Sequence, residues 1–252
     1  MLEIKGLRKS FGGLDAVNQC SMTIQRRSIT GLIGPNGAGK TTLFNLITGF
    51  YKPDEGKILF KEKRIDGFPP HQVFRKKICR TFQITREFSH MTVLENLMVI
   101  PEGQYGESIL NSIFRPGIIR RQEGMIKDKA INILEFVELT DLKDEYAGNL
   151  SGGHKKLLEL AKTLMADPDL ILLDEPGAGV NRTLMKKLVE NIRRLCSEKG
   201  ITFFIIEHDM DLIMNLCNPV IVMSEGRKLA EGTPKEIQRN ERVQEAYLGG
   251  QY

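Results

Sequence analysis

An α/β fold built around a parallel sheet is what this sequence predicts, and three observations carry the prediction. A glycine-rich loop, Gly34-Pro35-Asn36-Gly37-Ala38-Gly39-Lys40-Thr41-Thr42, lies between an apolar segment at residues 29–33 and a helical pattern over 41–48 that Gly49 stops. An unrelieved apolar run, Leu170-Ile171-Leu172-Leu173, and a second segment at residues 201–206 read as strands buried on both faces, which a parallel sheet covered by helices provides. Helical patterns over 155–165 and 182–197 alternate with them.

The loop matches G-x-x-x-x-G-K-[ST], and its residue types suit a phosphate cradle. Gly34, Gly37 and Gly39 let the backbone turn tightly with its N–H groups inward, and the following helix turns the positive end of its dipole to the same place. Lys40 adds a charge-assisted hydrogen bond to β and γ phosphates. Thr41 offers a hydroxyl to Mg²⁺, a cation that takes phosphate oxygens, water and only a few protein oxygens.

Upstream, residues 2–7 alternate like a half-buried strand and 16–24 read as a second, with a turn at Ser10-Phe11-Gly12-Gly13 between them. Phe11 either stacks on a nucleotide base or packs as a core aromatic. Beyond the cradle helix, Pro53-Asp54-Glu55-Gly56 makes a turn, and residues 57–60 with Arg64-Ile65 make a short antiparallel pair. A basic amphipathic helix is predicted over 69–78. The short strand Arg80-Thr81-Phe82-Gln83 follows, and the Gln83 amide has both a donor and an acceptor for a Mg²⁺ shell and an attacking water. Thr92, with Glu95 three residues on, opens a helix with a capping box. Residues 123–139 carry apolar side chains at helical spacing, whereas 101–121, with glycines, prolines and basic residues, predict an exposed excursion. Residues 220–223 and 227–230 read as a closing hairpin, and 233–247 as two short helices.

Further candidates for chemistry stand at the element ends. Ser151 at an N-cap, followed by Gly152 and Gly153, makes a second nest of N–H groups on a positive helix end and a second potential phosphate site. Asp174 and Glu175 end the first apolar run. Successive strand side chains face opposite ways, so the pair divides two tasks: Asp174 on Mg²⁺ through its water shell, Glu175 orienting or deprotonating the attacking water. The second run ends at Glu207-His208, which brings His208 to the same sheet edge and to a terminal phosphate oxygen.

Composition narrows the class. Of 252 residues 41% are hydrophobic, ample for a large core. No apolar run nears the roughly 18 residues of a membrane-spanning helix, and Met1-Leu2-Glu3-Ile4-Lys5 does not start a signal peptide, so a cytoplasmic chain is expected. Cys20, Cys79, Cys196 and Cys217 are widely separated, which fits reduced thiols and neither a zinc pair nor a disulfide framework. The net charge of +4 is mild. Basic runs at Arg75-Lys76-Lys77 and residues 115–121 are open to anionic lipid, nucleic acid, an acidic partner or plain solvent.

In this order the motifs resemble the ATP-binding subunit of an ATP-binding cassette (ABC) transporter over essentially the whole chain. Lys40 and Thr41 match the Walker A motif, Gln83 the Q-loop, Leu150-Ser151-Gly152-Gly153 the signature, residues 170–174 the Walker B, Glu175 the catalytic glutamate and His208 the switch histidine. Phe11 matches the adenine-stacking aromatic, and Val17 is counted with the nucleotide-binding residues. Arg80-Thr81-Phe82-Gln83, Met91-Thr92-Val93-Leu94-Glu95-Asn96 and Ile206-Glu207-His208-Asp209-Met210 resemble the branched-chain amino acid uptake branch. The closing Ala246-Tyr247-Leu248-Gly249 resembles that branch too, but its tyrosine-leucine-glycine is also similar to the lipopolysaccharide-export ATPases.

The resemblance implies a P-loop NTPase core of ABC type with an antiparallel β subdomain, together about 1–84 and 168–252, and an α-helical subdomain over about 85–167. It implies ATP and Mg²⁺ as cofactors and ATP hydrolysis coupled to transport. Implied partners are a second ATPase subunit, identical or different, closing head to tail so that Ser151, Gly152 and Gly153 act on the partner's ATP; two membrane-spanning permease subunits docked near Gln83; and an external solute-binding protein for an importer. The chain would then sit at the cytoplasmic face of the membrane and bind no nucleic acid. Chromosome and DNA-repair ATPases share the cassette but split it with long coiled coil, and no sustained heptads occur here. Two positions depart from the pattern: His154 stands where glutamine is usual, and Asn181 where aspartate is usual.

Overall fold

A computed structural model describes residues 1–81, 87–107 and 115–248. In chain order its elements are β1 (Leu2–Phe11), β2 (Leu14–Ile24), β3 (Ile29–Ile33), α1 (Lys40–Ile47), β4 (Glu55–Phe60), β5 (Lys63–Arg64), α2 (Pro70–Arg75), β6 (Ile78–Arg80), α3 (Val93–Met98), α4 (Pro116–Phe136) and α5 (Gly152–Leu164). Then come β7 (Leu170–Asp174), α6 (Arg182–Lys199), β8 (Thr202–Ile206), α7 (Met210–Leu216), β9 (Val220–Ser224), β10 (Arg227–Gly232), α8 (Pro234–Gln238) and α9 (Glu241–Leu248). The chain divides into two units, one of residues 1–83, 168–178 and 192–252, the other of 84–167 and 179–191.

The first unit holds two sheets. The larger has the order β10-β9-β3-β8-β7-β6, with β9 through β6 parallel and β10 antiparallel at the edge. Every residue of β7 and β8 is buried, as expected of central parallel strands covered on both faces. The smaller sheet, β2-β1-β4-β5, is antiparallel, and its strands alternate between buried and exposed residues. Apolar residues from both sheets and from α1, among them Leu7, Ile24, Phe44, Ile58, Leu172 and Phe204, make one core cluster.

Three local predictions change. Only Gly12 and Gly13 form the first turn, with φ of 52° and 90°, the geometry that suits a two-residue hairpin. Phe11 therefore ends β1, paired with Leu14. Helix α2 stops at Arg75, because Lys77 at φ 68° turns the chain into β6, where Ile78 and Cys79 are buried. Helix α4 starts at Pro116, inside the stretch expected to be an excursion: proline at the first helical position lacks only an N–H that would have had no partner.

In the second unit Ile126, Ala130 and Leu134 line the buried side of α4 at four-residue spacing. Thr92 and Glu95 form the expected capping box on α3. Asn96, fully buried, accepts the Phe88 N–H at 2.8 Å and donates to the Phe88 and Thr92 carbonyls at 3.1 and 2.9 Å, which pins the turn before the helix.

All four cysteines are free and buried. Burial pushes the thiols of Cys20 up to about 11 and Cys79 up to about 12. Burial and then the Glu207 charge push Cys217 up to about 12. A thiol at 12 is thiolate to only about one part in 10⁴ at pH 8, and the thiolate is the nucleophile. A thiol-reactive chromogenic disulfide at pH 8 is thus expected to titrate no cysteine within minutes in the native protein and all four in guanidinium. Native reaction at the rate of a free cysteine would contradict this packing.

Candidate functional site

Strands β3, β8 and β7 are neighbours whose registers align Leu32 with Ile206 and Ile206 with Asp174. The glycine-rich loop, Glu175 and His208 therefore leave the sheet at one level on its carboxyl edge, where ligands of open α/β sheets bind.

Two loop glycines are required by close backbone approach. A Cβ on Gly34 would lie 2.1 Å from the Met223 carbonyl oxygen, and one on Gly39, at φ 93°, would lie 2.1 Å from that of Ala16. Gly39 is also the N-cap of α1, and no side chain caps it, which leaves first-turn N–H groups available to an anion. The Lys40 side chain is buried and donates through Nζ to the Gly34 and Pro35 carbonyls at 2.8 and 3.0 Å. An ammonium has three donors, so one remains. Burial holds this lysine below its ordinary range, and the charges of Glu175 and Asp174 draw it back up. Asn36, Gly37 and Thr41 are exposed, Thr42 is half-buried and Ala38 is buried. The cradle is cationic and rich in donors, as a polyphosphate requires.

Asp174 ends β7 in a buried ion pair that the sequence did not announce. Its Oδ2 accepts from Arg80 Nη2 at 2.7 Å, with side chains only 7% and 6% exposed. Arg80 Nη1 donates to Asn45 Oδ1 at 2.6 Å, and the guanidinium lies 5.6 Å from the Phe44 ring centre, so β6, β7 and α1 are joined at one point. Glu175 does not continue the strand. With φ 49° it is left-handed, so strand alternation does not separate it from Asp174; the turn does. Its N–H donates to the Ile206 carbonyl at 2.9 Å, and its Oε1 lies 3.1 Å from His208 Nε2. Glu207, given no role by the sequence reading, is buried and accepts backbone N–H groups from both turns.

Phe11 is not a core aromatic: the ring is 42% exposed and is met edge-on by Tyr51, with ring centres 5.1 Å apart. Val17 is a correction. It is fully buried in the core cluster, so its side chain leaves no exposed surface for a nucleotide. Gln83 lies outside the described residues. In the second unit Ser151 is the N-cap of α5; its Oγ accepts the His154 N–H at 3.4 Å and lies 3.0 Å from His154 Nδ1. Ser151 and Gly152 are exposed, while Gly153 is buried where a Cβ would sit 2.5 Å from Leu184 Cδ1.

With this geometry in place, comparison with known proteins gives the class. Residues 17–178 match the ABC transporter family model, and the chain belongs to that family. Residues 227–252, which include the closing tyrosine and leucine, match a model described as the branched-chain amino acid ATP-binding cassette transporter. The chain is similar to the probable branched-chain amino acid transport ATP-binding protein LivG of Archaeoglobus fulgidus, 45% identical over 100% of this chain and 96% of that one. It is likewise similar to the high-affinity LivG protein of Escherichia coli K12, 40% identical over 99% and 98% of the two chains. Among solved structures, a nucleotide-free ATP-binding cassette from an ABC transporter superposes with a TM-score of 0.85 at 41% identity, covering 98% of each chain. A cassette in its ADP conformation superposes at 0.84 with 40% identity, covering 99% of this chain and 98% of that one.

Removing Arg80 alone would leave a buried carboxylate uncompensated. Arg80→Leu is expected to destabilise the protein by about 3–5 kcal/mol in urea denaturation, and Arg80→Leu with Asp174→Leu to recover more than half of that loss. Additive losses in the double variant would contradict a direct pair.

Proposed function

We propose that this chain is the ATP-binding and ATP-hydrolysing subunit of an ABC importer for branched-chain or related amino acids. One observation carries the hydrolytic reading: a donor-rich cradle, a buried carboxylate, a turn carboxylate and an imidazole stand together at the ends of three adjacent parallel strands. The substrate class rests on the names of the relatives and on the match of residues 227–252.

In this reading Lys40 and free N–H groups of the glycine-rich loop and first turn of α1 bind the β and γ phosphates, and Phe11 stacks on adenine. Thr41 and Asp174 supply hard oxygen ligands suited to Mg²⁺, with Gln83 as a further ligand. Mg²⁺, when bound, neutralises charge on the β and γ oxygens. Glu175 orients the attacking water and takes its proton, and His208 donates to a γ-phosphate oxygen. Here those two side chains hold each other at 3.1 Å, so binding ATP must exchange that contact for contacts to water and phosphate. Ser151, Gly152 and Gly153 complete the site of a second cassette. Closure of the pair drives two permease subunits at the cytoplasmic face of the membrane, with an external solute-binding protein delivering the amino acid. Among the described residues no helix is long and apolar enough to cross a membrane, which leaves the pathway to those partners.

Blocking hydrolysis should trap the closed pair. Glu175→Gln protein is expected to scatter light as a dimer with MgATP and as a monomer without it. If it binds ATP yet stays a monomer, self-pairing is wrong and the partner is a different cassette; if it binds no ATP, the hydrolytic reading falls. His154→Gln, which restores the usual signature residue, is expected to keep ATPase activity within a few fold, and a change beyond about tenfold would contradict that.

A further inference from the structure

Glu207 occupies an unusual place for a carboxylate. It is 4% exposed, directly follows β8, and both of its oxygens accept from backbone. Oε1 accepts the Gly177 N–H at 2.6 Å, and Oε2 accepts those of His208 and Asp209 at 3.0 and 3.4 Å. Gly177 lies on the turn that carries Glu175; His208 and Asp209 lie on the turn that leaves β8. Register between the two strands ends at Asp174 opposite Ile206, and the last backbone bond across them runs from Glu175 N–H to the Ile206 carbonyl. Past that point the Glu207 side chain takes over from the backbone ladder.

A buried carboxylate persists when its lone pairs are satisfied, and N–H bonds to a charged acceptor are roughly twice as strong as neutral ones. Satisfaction by three N–H groups from two turns constrains both turns at once. We propose that Glu207 is a positioning residue that fixes the Glu175 turn against the His208 turn, so that the water-directing carboxylate and the imidazole address one phosphate together. The 3.1 Å contact between Glu175 and His208 is the visible product of this clasp. The inference rests on the reading that Glu175 and His208 serve ATP hydrolysis. It separates Glu207 from the cradle: Gly177, His208 and Asp209 lie outside the loop that holds the phosphates, so loss of the clasp should slow the chemical step and leave ATP binding in place.

The test compares the full chain with Glu207→Gln, which keeps shape and volume but sets an amide donor against one of the turns, and with His208→Ala and the double variant. MgATP affinity, kcat and KM are measured for each. Glu207→Gln is expected to bind MgATP within threefold of the parent, to keep KM within threefold and to lose at least tenfold in kcat. In the His208→Ala background the same change should cost less than threefold, because the two act through one arrangement. A kcat within twofold of the parent, or fully multiplicative losses in the double variant, would overturn the proposal. Should Glu207→Gln not fold, Glu207→Asp, too short to span both turns, is judged by the same limits on kcat and KM. A parent that hydrolyses no MgATP, or a His208→Ala variant with full activity, would instead bring down the hydrolytic reading, and this proposal with it.

Discussion

The glycine-rich loop is wedged between two carbonyl groups, and much of the first unit depends on that wedge. At Gly34 and Gly39 the backbone comes so close to Met223 and Ala16 that any side chain would intrude. Met223 belongs to β9 of the parallel sheet and Ala16 to β2 of the antiparallel one, so the loop is held from both sheets at once. A loop fixed in this way meets a ligand without first having to be ordered, and preorganised donors are worth most where little reorganisation is needed. Gly226 strengthens the arrangement: its N–H donates to Ala38 in the loop and its carbonyl accepts from Asn18 in β2.

Around the loop, charge is placed by burial as much as by sequence neighbourhood. Lys40 is drawn down by burial and up by two carboxylates, one of them tied to Arg80 and the other to His208. Lys40, Asp174 and Glu175 thus each have a protein partner in the state described here. Contacts of this kind are readily exchanged for contacts to an anionic ligand and its cation, since the opposing charges are already in place.

The fold was largely legible because its signals are local. An unbroken apolar run gave β7, a largely apolar segment gave β8, a glycine-rich loop between strand and helix gave the cradle, and a threonine with a glutamate three residues on gave the start of α3. Where the reading slipped, a single backbone angle decided: Lys77 and Glu175 are left-handed, and neither lysine nor glutamate advertises that conformation. The partners of Arg80 and Glu207 were illegible for a different reason. Arg80 meets Asp174 across 94 residues and Gly177 meets Glu207 across 30, contacts that only the strand order of the sheet creates. Val17 shows the converse: a residue in the right neighbourhood whose side chain points into the core.

The burial of every cysteine has a practical side. Because the native surface offers no accessible thiol, a single cysteine introduced at an exposed site such as Phe88 or Met125 would be the one reactive position on the folded chain. A fluorophore or spin label could then be placed with no prior removal of native residues, and distances between labelled copies could be followed through a full nucleotide cycle on the unaltered scaffold.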